Sequence, residues 1–153
     1  MNDAHDSPMP LQVLLVEDSP GDVRLTREVF REANRRIALH VASDGVEAMG
    51  FLRREAPYRD APRPDLILLD LNLPRMDGRE VLAHIKGDTE LMTIPIVILT
   101  TSDAEADIAN SYEHHANCYL SKPVQLAAFE LLVKSVNDFW LTNAKLPHQR
   151  HDA

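Results

Sequence analysis

Five short apolar runs punctuate the chain, at residues 11–16 (LQVLLV), 37–41 (IALHV), 66–69 (LILL), 96–99 (IVIL) and 118–120 (CYL). In most of them apolar residues occupy successive positions rather than alternate ones, as strands covered on both faces require. A parallel central sheet is therefore expected. The stretches between the runs are amphipathic. The first, from 20 to about 34, opens on Ser19-Pro20, a capping serine followed by a proline suited to the first helical position, and spaces Val23, Leu25, Val29 and Phe30 near the helical period. The second, 44–54, has Ser43 or Asp44 as its cap and Val46, Met49, Phe51 and Leu52 as its apolar stripe. It breaks up in the proline-rich EAPYRDAPRPD of residues 55–65, a loop or an extension of that helix. Further helices are predicted over 78–86, 103–114 and 124 to about 142. Strict alternation of this kind gives an α/β fold, (βα)5, with a doubly wound five-stranded parallel sheet and helices on both faces.

In open parallel sheets, ligands bind outside the carboxyl ends of the strands. Read in order, those ends carry Glu17 and Asp18 after the first run, Asp70 after the third, Thr100 after the fourth and Lys122 just past the fifth. Three carboxylates at one rim repel one another unless a cation compensates, and an all-oxygen cluster suits a hard ion such as Mg2+. A lysine and a hydroxyl beside that metal complete a pocket for a tetrahedral anion. Asp70 is the best candidate for a carboxylate nucleophile, because it ends the most apolar strand and is followed by the turn LNLPRMDG. Taken singly, Asp18 reads as a helix cap, Thr100 as a β-branched strand residue and Lys122 as a surface lysine. What argues for a site is their joint placement on one edge.

Composition narrows the field. At 153 residues the chain fits one domain, expected over 10–142 between a flexible start (1–9) and a polar tail (143–153). A formal net charge of −8 disfavours attraction to nucleic-acid backbones or anionic lipid. No apolar run approaches the roughly 18 residues of a membrane span, and MNDAHDSPMP lacks the regions of a signal peptide, so a cytoplasmic protein is expected. The single cysteine, Cys118, reads as a buried core thiol. His114 and His115, near the end of a predicted helix, suit its dipole better than a metal, and no zinc is expected.

The stretches VLLVEDS, LILLDLNLPRMDG, VILTTS and YLSKP, in this order and at these intervals, resemble the receiver domain of bacterial response regulators, with its CheY-like, flavodoxin-like fold. The resemblance covers about residues 10–142. It implies that Asp70 is the phosphoacceptor, taking a phosphoryl group from a sensor histidine kinase or a small phosphodonor. It further implies that Asp18 and Asp70 offer side-chain oxygens to Mg2+, Asn72 its backbone carbonyl, and Glu17 acts through water. Lys122 would hold a phosphoryl oxygen, Thr100 would move toward the phosphoryl group, and Tyr119 would swing in behind it, a local charge change biasing a two-state element. The Lys122–Pro123 peptide bond is expected to be cis. Two departures stand out: Thr101 occupies a place where receivers usually carry a very small residue, and Glu17 replaces the more common aspartate.

The proline-containing stretch before the third strand and the aromatic end of the last helix, Phe139-Trp140-Leu141, resemble in particular the single-domain response regulators of cyanobacterial and bacterial phytochromes. That subset implies a phytochrome-type kinase upstream, an unidentified protein downstream and a homodimer in which Tyr119, Phe139 and Trp140 are interface candidates. Trp140 could equally cover the core. No DNA-binding or enzymatic output domain is expected, and the only chemistry expected is the protein's own phosphorylation and dephosphorylation. A phosphatase of the haloacid dehalogenase type would need a second aspartate two residues after the nucleophile, where Asn72 stands. A flavodoxin-like flavin carrier would need a hydroxyl- and glycine-rich loop where EDSPGD stands. A pseudo-receiver is disfavoured because every chemical position is filled.

Overall fold

A computed structural model describes residues 9–33, 36–100 and 118–143, without the side chains of Thr100, Cys118 and residues 135–143. Five strands, β1 (Leu11–Val16), β2 (Ile37–Ala42), β3 (Leu66–Asp70), β4 (Ile96–Thr100) and β5 (Cys118–Ser121), form one sheet in the order β2-β1-β3-β4-β5, and every pairing is parallel. Four helices are described: α1 (Pro20–Arg31), α2 (Gly45–Leu52), α3 (Gly78–Lys86) and α4 (Leu126–Asn143). The helix expected over 103–114, the histidine pair and Thr101 lie outside the described residues.

The successive apolar positions of the strands are explained by two cores, one on each face. Along β1, Leu11, Val13 and Leu15 join one core while Leu14 and Val16 join the other; β3 splits Leu66 and Leu68 from Ile67 and Leu69 in the same way. The first core takes Phe30 of α1 and Phe129 of α4, whose rings lie 4.2 Å apart between centroids. The second is covered by α2 and α3, through Ala48, Met49, Phe51, Leu52, Val81, Leu82 and Ile85.

Helix starts follow the local sequence. Ser19 caps α1, its hydroxyl accepting from the Asp22 N–H at 3.3 Å ahead of Pro20 in the first turn, and Asp44 caps α2 by accepting from the Glu47 N–H at 2.8 Å. Asp77 and Glu80 close a capping box on α3. Two positions assigned to apolar stripes face outward instead: Leu25 is 52 % exposed and Val46 46 %. Leu25 lies two residues from Val23, about 200° round the helix, so the inward place in that turn falls to Thr26, whose hydroxyl donates to the Asp22 carbonyl. Residues 55–65 form a loop, anchored by Tyr58 on Phe51 (centroids 5.7 Å apart) and by Arg63, which donates to the Glu90 carbonyl and the Thr93 hydroxyl. The Ala56–Pro57 and Lys122–Pro123 bonds are both cis, the second as expected.

β1 and β3 are neighbours, and the crossover leaving β1 runs to β2 on one side while the crossover leaving β3 runs to β4 on the other, in opposite directions. A crevice opens at such a reversal, outside the carboxyl ends of β1 and β3.

Candidate functional site

Glu17 and Asp18 directly follow β1, Asp70 is the last residue of β3, and Lys122 follows β5. The structure brings these four together. The Lys122 ammonium lies 2.7 Å from Glu17 Oε1 and 3.0 Å from Asp70 Oδ2, and carboxylate oxygens of Glu17, Asp18 and Asp70 lie within 4.8 Å of one another. Glu17 and Asp70 are buried, while Asp18 is exposed. Each buried carboxylate divides its oxygens between backbone and lysine. Glu17 Oε2 accepts the Ser19 N–H at 3.2 Å, and Asp70 Oδ1 accepts the Asn72 N–H at 2.9 Å. Both acids are thus oriented by the turn that follows their own strand.

The lysine has a third carboxylate partner that sequence reasoning missed. Asp22 Oδ2 stands 3.2 Å from Lys122 Nζ. Its residue sits in the first turn of α1, where an acidic side chain is expected for the helix dipole alone, so no spacing marked it. Thr100 is the last residue of β4 and pairs in register with Ser121 of β5, which puts its backbone at the same rim; its side chain is outside the described residues. Tyr119 on β5 is exposed. Phe139 and Trp140 fall within α4, and their side chains, like that of Cys118, are not described.

Burial pushes the Glu17 carboxyl above its ordinary range against the hydrogen bond from Lys122, and the neighbouring Asp70 charge pushes it further. For Lys122, burial works to lower the ammonium, but the bonds to Glu17 and Asp70 outweigh it and hold the group above the usual lysine range. Three carboxylates, Glu17, Asp22 and Asp70, contact one ammonium, and Asp18 lies beside two of them, a formal surplus of three negative charges. An oxygen-only cluster with that surplus fits a hard divalent cation, which Glu17, Asp18 and Asp70 could hold.

The approach of α3 to the site depends on Gly78. Its N–H donates to the Leu71 carbonyl at 3.0 Å, and a Cβ there would overlap the Asp70 carbonyl oxygen and the Leu71 Cα. Backbone atoms cannot step aside as a flexible side chain can. Gly78→Ala is therefore expected to destabilise the protein by about 1–3 kcal/mol, outweighing a helix-propensity gain of at most about 1 kcal/mol. Urea unfolding checks this, and an alanine variant as stable as wild type would contradict it.

The receiver-domain family of response regulators matches residues 13–136. Response regulator Rcp1 of Synechocystis sp. is 48 % identical over 142 residues, covering 93 % of this chain and 97 % of Rcp1. Its Mn2+-bound crystal structure superimposes with a TM-score of 0.72 over 88 % of this chain and 96 % of that one. The phosphorylated cyanobacterial phytochrome response regulator RcpA is 47 % identical, with a TM-score of 0.74 over 87 % of this chain and 95 % of its own. The bacteriophytochrome response regulator AtBRR is 38 % identical, with a TM-score of 0.77 over 87 % and 96 %. Among the described residues no helix is long and apolar enough to cross a membrane. With its parallel five-stranded sheet, its acidic rim and these relatives, the chain belongs to the receiver-domain family of response regulators.

Proposed function

We propose that Asp70 accepts a phosphoryl group from a sensor histidine kinase in a Mg2+-dependent reaction, and that the resulting change of shape is the signal. The observation that carries this is the placing of Asp70: a buried carboxylate at a strand end, one oxygen on a backbone N–H and the other on a lysine, inside an all-oxygen acidic cluster. The Asn72 N–H fixes the orientation of the Asp70 carboxylate. Lys122, already within 3.0 Å of that carboxylate, is positioned to hold an oxygen of the phosphoryl group as charge accumulates there. The side chains of Asp18 and Asp70 and the Asn72 carbonyl, with Glu17 acting through water, would hold Mg2+, which would compensate the surplus negative charge. Thr100, at the adjacent strand end, then turns toward the phosphoryl group, and Tyr119, exposed in this structure, moves inward.

The phytochrome names carried by several relatives support a phytochrome-type kinase as the phosphodonor. The output runs through the receiver's own surface, from the cytoplasm, in a homodimer to which Tyr119, Phe139 and Trp140 contribute. The expected chemistry is confined to the protein's own phosphorylation and dephosphorylation.

Incubation with acetyl phosphate and Mg2+ should give a hydroxylamine-labile adduct of one phosphoryl group, located at Asp70 by mass spectrometry of the borohydride-reduced peptide. Chelation of the metal should suppress it. Absence of labelling in saturating Mg2+, or an adduct located elsewhere, would sink the reading.

A further inference from the structure

An ammonium group has three N–H donors. In this structure Lys122 has three carboxylates for them: Glu17 at 2.7 Å, Asp70 at 3.0 Å and Asp22 at 3.2 Å. A phosphoryl oxygen can join the lysine only if one of these contacts gives way. The three are not equal. The Glu17 side chain is 2 % exposed and is tied to the Ser19 N–H, and Asp70 is itself the acceptor. Asp22 has the longest contact and a side chain 33 % exposed, so water can take over its oxygen with little desolvation cost. It sits in the first turn of α1 with its backbone fixed by the Ser19 cap and by the Thr26 hydroxyl on its carbonyl, so its carboxylate remains at the pocket edge after letting go.

We infer that Asp22 is a positioning residue that restrains phosphorylation: it competes with the incoming phosphoryl group for Lys122 and repels the anionic donor. This rests on Asp70 being the phosphoacceptor. In the step itself, a carboxylate oxygen of Asp70 forms the new bond to phosphorus while the bond from phosphorus to the acetyl oxygen breaks. Acetate leaves with the electron pair, and no proton needs to move. The charge arriving at the pocket is the dianionic phosphoryl group, and the Asp22 carboxylate opposes it until Lys122 is exchanged.

The test compares acetyl phosphate labelling of wild type, Asp22→Asn, Asp22→Ala and Asp22→Glu, at saturating Mg2+ titrated separately for each, in low and high salt. Both neutral variants should label faster than wild type by roughly threefold to tenfold, the effect of one charge about 4–6 Å from the reacting group in a partly hydrated pocket. Asp22→Glu should keep the wild-type rate, and high salt should shrink the difference between neutral and charged variants, which a change in helix structure would not do. Neutral variants at or below the wild-type rate, or Asp22→Glu as fast as Asp22→Asn, would overturn the inference. Wild type labelled at Asp70 with neutral variants unchanged removes the role of Asp22 alone. An unlabelled wild type removes the phosphoacceptor assignment beneath it.

Discussion

Asp70→Asn is expected to lose acetyl phosphate labelling to background, a fall of at least about a hundredfold, with the fold intact. The amide keeps the size of the carboxylate and an oxygen able to accept the Asn72 N–H that now bonds Asp70 Oδ1 at 2.9 Å. It lacks the negative oxygen that the proposed reaction would direct at phosphorus. Stability should behave differently from reactivity. The charge of Asp70 helps raise the Glu17 carboxyl above its usual range, so neutralising it relieves a repulsion between two buried acids. Against that stands the lost bond from Lys122, which retains Glu17 and Asp22 as partners. Without metal, the variant should be at least as stable as wild type at pH 7. Mg2+ should stabilise wild type through preferential binding to the folded state and the variant much less, because one of three clustered carboxylates is gone. Urea unfolding with Mg2+ and with chelator reads both effects. A variant still labelled at the wild-type rate would move the acceptor to another acid of the cluster.

The contrast between Asp70 and Asp22 shows what the sequence could and could not reveal. Asp70 was legible because it terminates LILL, a run whose unbroken apolar character marks a strand buried on both faces, so its place at the strand end followed from the pattern. Glu17, Asp18 and Lys122 were legible for the same reason. Asp22 belongs to a helix, and its bond to a lysine 100 residues away depends on how α1 and the segment after β5 meet, which no periodicity encodes. Strand order was hidden for a similar reason: the runs are alike in composition, and only packing places β1 between β2 and β3. Outward-facing Leu25 and Val46 mark the limit of reading stripes by composition, since Thr26 takes an inward position by returning its hydroxyl to the backbone one turn earlier.

Lys122→Met should cost about 3–5 kcal/mol in metal-free protein at pH 7, the penalty for leaving buried charges without their partner. Methionine nearly matches the aliphatic stem, so the loss reports charge rather than volume. The lysine side chain is 10 % exposed and bonds Glu17 and Asp70, whose side chains are 2 % and 7 % exposed; without it two buried carboxylates confront each other. The pH dependence separates this from a packing defect. In wild type the folded-state pKa of Lys122 is raised, so its contribution is fully present below its unfolded value of 10.5 and fades only as alkaline pH passes the folded value. It is constant between pH 5 and 8. Glu17 has a slope of the same sign at lower pH: its folded pKa lies above the unfolded 4.5, so between the two the folded state holds more protons and stability falls as pH rises. Removing Lys122 takes away an influence that lowers the Glu17 pKa, which widens that window upward. The deficit of Lys122→Met should therefore be largest near pH 8 and shrink toward pH 5, and Mg2+ should recover part of it at neutral pH by supplying positive charge to the same oxygens. A deficit independent of both pH and Mg2+ would mean that Lys122 supports the fold through packing, and that the carboxylates of this rim are compensated from elsewhere.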